Sequence, residues 1–158
     1  MDALHGFERT WSSARSTYGR GAPQDGAGFS ADAAALDRTG RTIEASAPGE
    51  HWIGTAASAY GAKNSRFTRA VADLADLDRQ LGIEVDRSAQ VVLTGRRNLD
   101  AVRTWVHDAA ERVPPTRLRE WMLLPIVRKG LADVVEVVES SHREFSAIAA
   151  RIDKLAEN

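Results

Sequence analysis

Residues 47–64 read APGEHWIGTAASAYGAKN, a break of Pro48, Gly49, Trp52 and Gly54 in a chain otherwise rich in helix formers. Proline lacks the amide a helix interior needs and glycine loosens the backbone, so Pro48 and Gly49 stop one helix. The small residues that follow, Ala56, Ala57 and Ala59, let a second helix form and approach the first closely. The stretch therefore predicts a turn between two antiparallel helices, with Trp52 closing the end of the pair and Gly54 permitting the tight connection.

On the N-terminal side, residues 2–18 place Leu4, Phe7, Trp11 and Ala14 on one side of a short helix, which Trp11 anchors. Gly19, Gly21, Pro23, Gly26 and Gly28 then crowd into a loop over 19–29. Ser30 is the expected N-cap of a helix over 31–46, with Ala33, Leu36, Gly40 and Ile43 on one face.

On the C-terminal side, Ile53, Tyr60, Phe67, Leu74 and Leu81 fall at strict sevens, the spacing of a packed seam. Val71, Val85, Val92, Leu99, Val106 and Val113 form a second series, interrupted at Asp78, that carries the apolar stripe to Pro114-Pro115. Some sixty helical residues would make a rod of roughly 90 Å, so Gly82 or Gly95 is expected to mark a bend or break. After the prolines, Thr116 is the expected N-cap and Pro125 a kink or restart. The last helix has Leu131, Val138, Phe145 and Ile152 at sevens, interleaved with Val134, Ser141, Ile148 and Leu155. Trp105 and Trp121 flank the Pro-Pro turn and are expected to close the core there. No period-two strand pattern appears. The expected fold is an all-α, elongated antiparallel helical bundle with a Trp-x-Gly helix-turn-helix hairpin. It forms one domain over 1–158: a short helix to 18, a loop over 19–29 and a bundle core from 30.

With 158 residues, 21 Lys+Arg and 22 Asp+Glu, the chain has no overall basic excess to mark it for nucleic acid. It lacks cysteine, which excludes disulfides, thiolate metal sites and a cysteine nucleophile. No secretory signal pattern opens it, and no run approaches the ~18 apolar residues of a membrane span.

Catalytic signals are equally thin. Glu139 and His142 have the Glu-x-x-His spacing of di-iron bundles, but no second copy exists, so a surface histidine beside a solvated glutamate is the better reading. Asp73, Asp76 and Asp78 alternate with Leu74, Leu77 and Leu81 and sit next to Arg79, as the polar side of an amphipathic helix does. There is no nucleophile elbow or phosphate loop. No catalytic, metal or cofactor-binding residue is assigned; the expectation is a non-enzyme without a cofactor.

Trp52-Ile53-Gly54 alone is a weak motif. Taken with Pro48-Gly49, Ala56-Ala57, Tyr60, Lys63-Asn64 and Leu-Ala-Asp-Leu-Asp-Arg-Gln-Leu at 74–81, it resembles the EspA/EspE-like, Trp-x-Gly helical-hairpin proteins of mycobacterial type VII (ESX) secretion, strongly over 43–105 and weakly elsewhere. The resemblance implies a virulence-associated secretion substrate or accessory protein that binds a helical partner, a chaperone of the secretion system or further copies of itself. Trp52 and Gly54 would form the motif turn, and Tyr60, Phe67, Leu74 and Leu81 the partner-binding seam. Such a protein is cytoplasmic before export and secreted or envelope-associated after it. The family's export signal, Tyr-x-x-x-Asp/Glu, has no copy here: Tyr18 is followed four residues on by Ala22, and Tyr60 by Asn64. The competing reading is a cytoplasmic helical adaptor or antitoxin-like protein that is never exported.

Overall fold

The computed structural model describes residues 2–157; Met1 and Asn158, the outer bounds of the domain read from the sequence, lie outside the described residues. Among the described residues there are four α-helices and no strand: α1 (Ala3–Thr17), α2 (Ala27–Ala45), α3 (Thr55–Glu111) and α4 (Arg119–Ala156). The protein is thus an all-α bundle, and its chain divides into two compact units. The first comprises residues up to 24 together with 87–150; the second comprises 25–86 together with the segment from 151.

In the first unit α1 runs antiparallel to α3. Tyr18 meets Gly95, Arg15 pairs with Asp100, and Glu8 pairs with Arg103, so positions fall along one helix as they rise along the other. The amphipathic stripe of α1 explains the docking. Phe7 is fully buried with Leu99, Val106, Val127 and Val134, while Leu4, Trp11 and Ala14 pack around them. The Trp11 indole N–H donates to the Leu99 carbonyl at 2.7 Å, anchoring α1 as its position suggested. Asp2 caps α1 by accepting from the Leu4 amide. The loop after α1 is held by Arg96, whose guanidinium donates to the carbonyls of Tyr18 and Gly21.

Gly95 does not break α3. A Cβ there would lie 2.1 Å from the Tyr18 ring, so the glycine is the space the ring occupies. Gly130 of α4 does the same for Val106 and Phe7, at 2.4 and 3.0 Å. The Tyr18 hydroxyl then reaches the Ser141 hydroxyl at 2.6 Å, which satisfies both polar groups in a buried site.

The α3–α4 turn departs from expectation. Trp121 is 74% exposed, and Trp105 is partly open with the Lys129 ammonium 4.7 Å from its ring centre. Ala110, Val113 and Leu123 close that end instead. Arg119 donates to the carbonyls of Ala110 and Val113 at the end of α3, the first of which also accepts from the Val113 amide. Thr116 is not the N-cap of α4; its amide and carbonyl are used in the turn itself, with Pro114 and Arg119. Nor does Pro125 restart the helix, which runs through it. The missing proline amide deprives only the carbonyl of exposed Trp121, where water can substitute.

In the second unit α2 and the first part of α3 form an antiparallel hairpin. Gly26 lies against Gly82, Asp37 pairs with Arg79, Gly40 faces Val71 and Pro48 faces Gly61. This contact is made of small residues: Ala33, Ala57 and Ala75 are buried, and a Cβ on Gly26 would sit 2.0 Å from the Gly82 carbonyl oxygen. Gly82, expected to bend α3, is therefore a point where two backbones touch. The same contact moves the start of α2 from the expected Ser30 to Ala27, with Gly26 at the N-cap. The amides there are taken by Asp86, which accepts from buried Gly26 at 2.6 Å, and Asp25, which accepts from Ala27 at 3.0 Å. Near the C-terminal end of α4, Arg151 pairs at 2.9 Å with the buried carboxylate of Glu84.

Candidate functional site

The connection between α2 and α3 is built in three steps. The amides of Ser46 and Ala47 fold back on the last carbonyls of α2, Trp52 closes a turn by donating to the Gly49 carbonyl at 3.1 Å, and the Gly54 carbonyl accepts from Ser58 to start α3. Gly54 has φ +112°, a region that side chains disfavour, so the residue type is dictated by the backbone. Trp52 does not plug the helix ends. Its ring is 48% exposed and lies over Tyr60, with ring centres 5.2 Å apart and planes inclined by 43°.

Tyr60 follows Ile53 in the seam expected to be packed, and here the structure corrects the sequence reading, with Ile53 itself 84% exposed. Tyr60, Phe67 and Leu74 are 42%, 54% and 47% exposed; only Leu81 is partly covered. The reason is the choice of face. α3 meets α2 through Ala57, Asn64, Ala75 and Gly82, which allow an approach that Phe or Tyr side chains would forbid. A signal for this was present: Gly61, Thr68, Ala75 and Gly82 are small and also fall at strict sevens. The open seam is thus the complement of the packed one.

Its surroundings are cationic. From Thr55 to Ala72, α3 carries Lys63, Arg66 and Arg69 and no acid, and the Lys63 ammonium lies 5.9 Å from the centre of the Phe67 ring. Asp73 and Asp76 follow, and Asp76 bonds Arg79 at 2.7 Å. Leu155 on the last turn of α4 lines one open cleft with Ala70, Leu74, Leu77 and Gln80 of α3.

The other chemical candidates stay apart. Glu139 and His142 are exposed on α4, and among the described residues no group of three His, Asp or Glu is disposed to hold a metal ion. The most concentrated polar cluster is structural. Burial tends to raise the Glu8 carboxyl, but hydrogen bonds from Arg103 and His107 outweigh it and hold the group below its ordinary value. Arg103 in turn lies 4.7 Å from the centre of the Trp11 ring, so the cluster fastens α1 to α3. No helix among the described residues is long and apolar enough to cross a membrane.

Two curated relatives are similar to this chain. The ESX-1 secretion-associated protein EspE of Mycolicibacterium smegmatis is 28% identical over 147 residues, 89% of this chain and 27% of EspE. The ESX-1 secretion-associated protein EspA of Mycobacterium tuberculosis is 32% identical over 85 residues, 54% of this chain and 22% of EspA. The chain therefore spans about a quarter of the length of these curated relatives. No solved structure matches it. The sequence model of the EspA/EspE family matches residues 18–101, more than half of the chain, from the end of α1 through the Trp52 turn and the open face of α3. On that match the chain belongs to the EspA/EspE family.

Proposed function

We propose that this protein is a type VII (ESX) secretion-associated substrate or accessory protein that acts by binding other proteins and not by catalysis. The observation that carries the reading is the outward-facing series Tyr60, Phe67 and Leu74, set beside the Trp52 turn within the family-matched segment. A row of large apolar side chains at helical spacing is costly to leave in water and is the usual signature of a docking face. The names of the EspE and EspA relatives, both ESX-1 secretion-associated, support the same assignment.

Neither Tyr18 nor Tyr60 is followed four residues on by an acid. In this reading the protein is exported together with a bound partner that carries the signal. The protein then waits in the cytoplasm and becomes secreted or envelope-associated with that partner, a helical protein or a chaperone of the secretion system. The test is its distribution between cytosol and culture filtrate in strains with and without the secretion ATPase. ATPase-dependent appearance in the filtrate is the expected result. Retention in the cytosol of both strains would sink the secretion reading and favour a resident helical adaptor.

A further inference from the structure

We propose that the open face of α3 around Tyr60, Phe67 and Leu74 docks an acidic amphipathic helix of a partner protein, laid along α3 beyond the last turn of α4. This deepens the binding reading above and rests on it.

Continuity with an existing interface identifies the occupant as a helix. In the second unit, Leu155 on the last turn of α4 lines the same open cleft as Leu74 and Leu77, and Arg151 one turn earlier pairs with Glu84, so α4 already runs beside this part of α3. The seam then continues past Leu155 to Phe67 and Tyr60 at unchanged seven-residue spacing, with exposed Ala56, Ala59 and Ala70 beside it. Large residues alternating with alanines make the ridge and groove that another helix fits. A lipid surface fits less well, since membrane-lying helices present a wide apolar face. Here the face next to the stripe is taken by α2, and what remains is a single row.

Charge identifies the helix as acidic. Lys63, Arg66 and Arg69 border the row, and Arg66 and Arg69 form no ion pair among the described residues. Other arginines pair with an acid across a helix contact, among them Arg103 with Glu8, Arg79 with Asp37 and Arg151 with Glu84. Acids flanking the apolar stripe of an incoming helix would complete that pattern and oppose a basic one. A second copy of α3 fits poorly: a parallel copy sets these cations against their equivalents. An antiparallel one brings Asp73 near Arg66 only by lying over Leu74 to Gln80, the stretch whose cleft Leu155 of α4 already lines.

The probe is a set of three synthetic helical peptides long enough to span the face, about 20 residues or roughly 30 Å. They share one leucine heptad stripe and carry Glu, Gln or Lys at the flanking positions, and their binding to the full chain is read by fluorescence polarisation. The Glu peptide is expected to bind roughly tenfold or more tighter than the Lys peptide, and to weaken with added salt. Phe67→Glu should remove binding, while Lys63→Glu, Arg66→Glu and Arg69→Glu together should reverse the preference; circular dichroism checks that both variants remain helical. Equal affinity for the Glu and Lys peptides, no binding of any peptide, or indifference to Phe67→Glu overturns the proposal. Phe67-dependent binding to phosphatidylglycerol vesicles without peptide binding would replace it with a membrane surface. A Phe67-dependent dimer in sedimentation, again without peptide binding, would replace it with self-association. Each of these failures leaves the culture-filtrate result standing, and retention in the cytosol leaves the peptide preference standing.

Discussion

The two portions of α3 carry the same seven-residue apolar rhythm and put it to opposite uses. In the first unit Leu99 and Val106 are fully buried between α1 and α4, and Val92 packs against them. In the second unit Tyr60, Phe67 and Leu74 look outward while alanine and glycine make the contact with α2. A heptad series therefore reports that one face of a helix is apolar, and nothing about what covers it. Burial depends on whether a neighbouring helix meets that face or the smaller one beside it.

The sharpest way to break this contrast is to truncate both series. Leu99→Ala removes a fully buried side chain and should cost about 2–5 kcal/mol in urea unfolding. Phe67→Ala, at an exposed position, should stay within about 0.5 kcal/mol of the parent. Comparable losses at the two sites would mean that the seam of the second unit is as buried as the first.

Glycine substitutions come next. Gly26→Ala drives a methyl into the Gly82 backbone and Gly95→Ala drives one into the Tyr18 ring; each should cost about 1–3 kcal/mol. Gly6, inside α1, has nothing within 4 Å of an added Cβ, so Gly6→Ala should stabilise by up to about 1 kcal/mol through helix propensity alone. Thermal melts of the three variants separate close packing from propensity. A gain at Gly26 would show that the α2–α3 backbone contact is looser than described.

A smaller effect is expected at Tyr18→Phe, which deletes the bond to buried Ser141 and should cost about 1 kcal/mol. Smallest is the pH term at Glu8. Because the folded state holds this carboxyl below the ordinary 4.5, its contribution is present above about pH 4.5 and is lost as pH falls through the lowered folded value. The paired groups are partly solvated, so the whole contribution should be under about 1 kcal/mol. Stability curves of the parent and Glu8→Gln should accordingly lie apart at neutral pH and converge in acid. Curves separated by a constant gap down to strongly acid pH would contradict the charge pairing that fastens α1 in the first unit.

Much of this architecture could be read directly from residues. The stripe Leu4, Phe7, Trp11 and Ala14 marked α1 and its buried side, and Val92, Leu99, Val106 and Val113 marked a real core line. Pro48-Gly49 and Pro114-Pro115 separated the helices because a missing amide and a loosened backbone act locally. The glycines inside helices were legible as exceptions but not as contacts. Gly82 and Gly95 look like weak points by propensity, and only the arrival of Gly26 and of the Tyr18 ring reveals that the missing side chain is the purpose. Trp52, Trp105 and Trp121 misled for a related reason. Size predicts that an aromatic side chain gains by burial, yet it does not supply the neighbours needed to bury it.

By itself, then, the sequence determined the helical class, the order of the helices, the two proline-marked turns and the family-like stretch around Trp52. These follow from interactions within a few residues along the chain. Tertiary structure alone decided which stripe of α3 is core and which is surface, and why Gly26, Gly82, Gly95 and Gly130 are glycine. Those outcomes depend on which helices meet, and at what distance, between positions far apart in the chain.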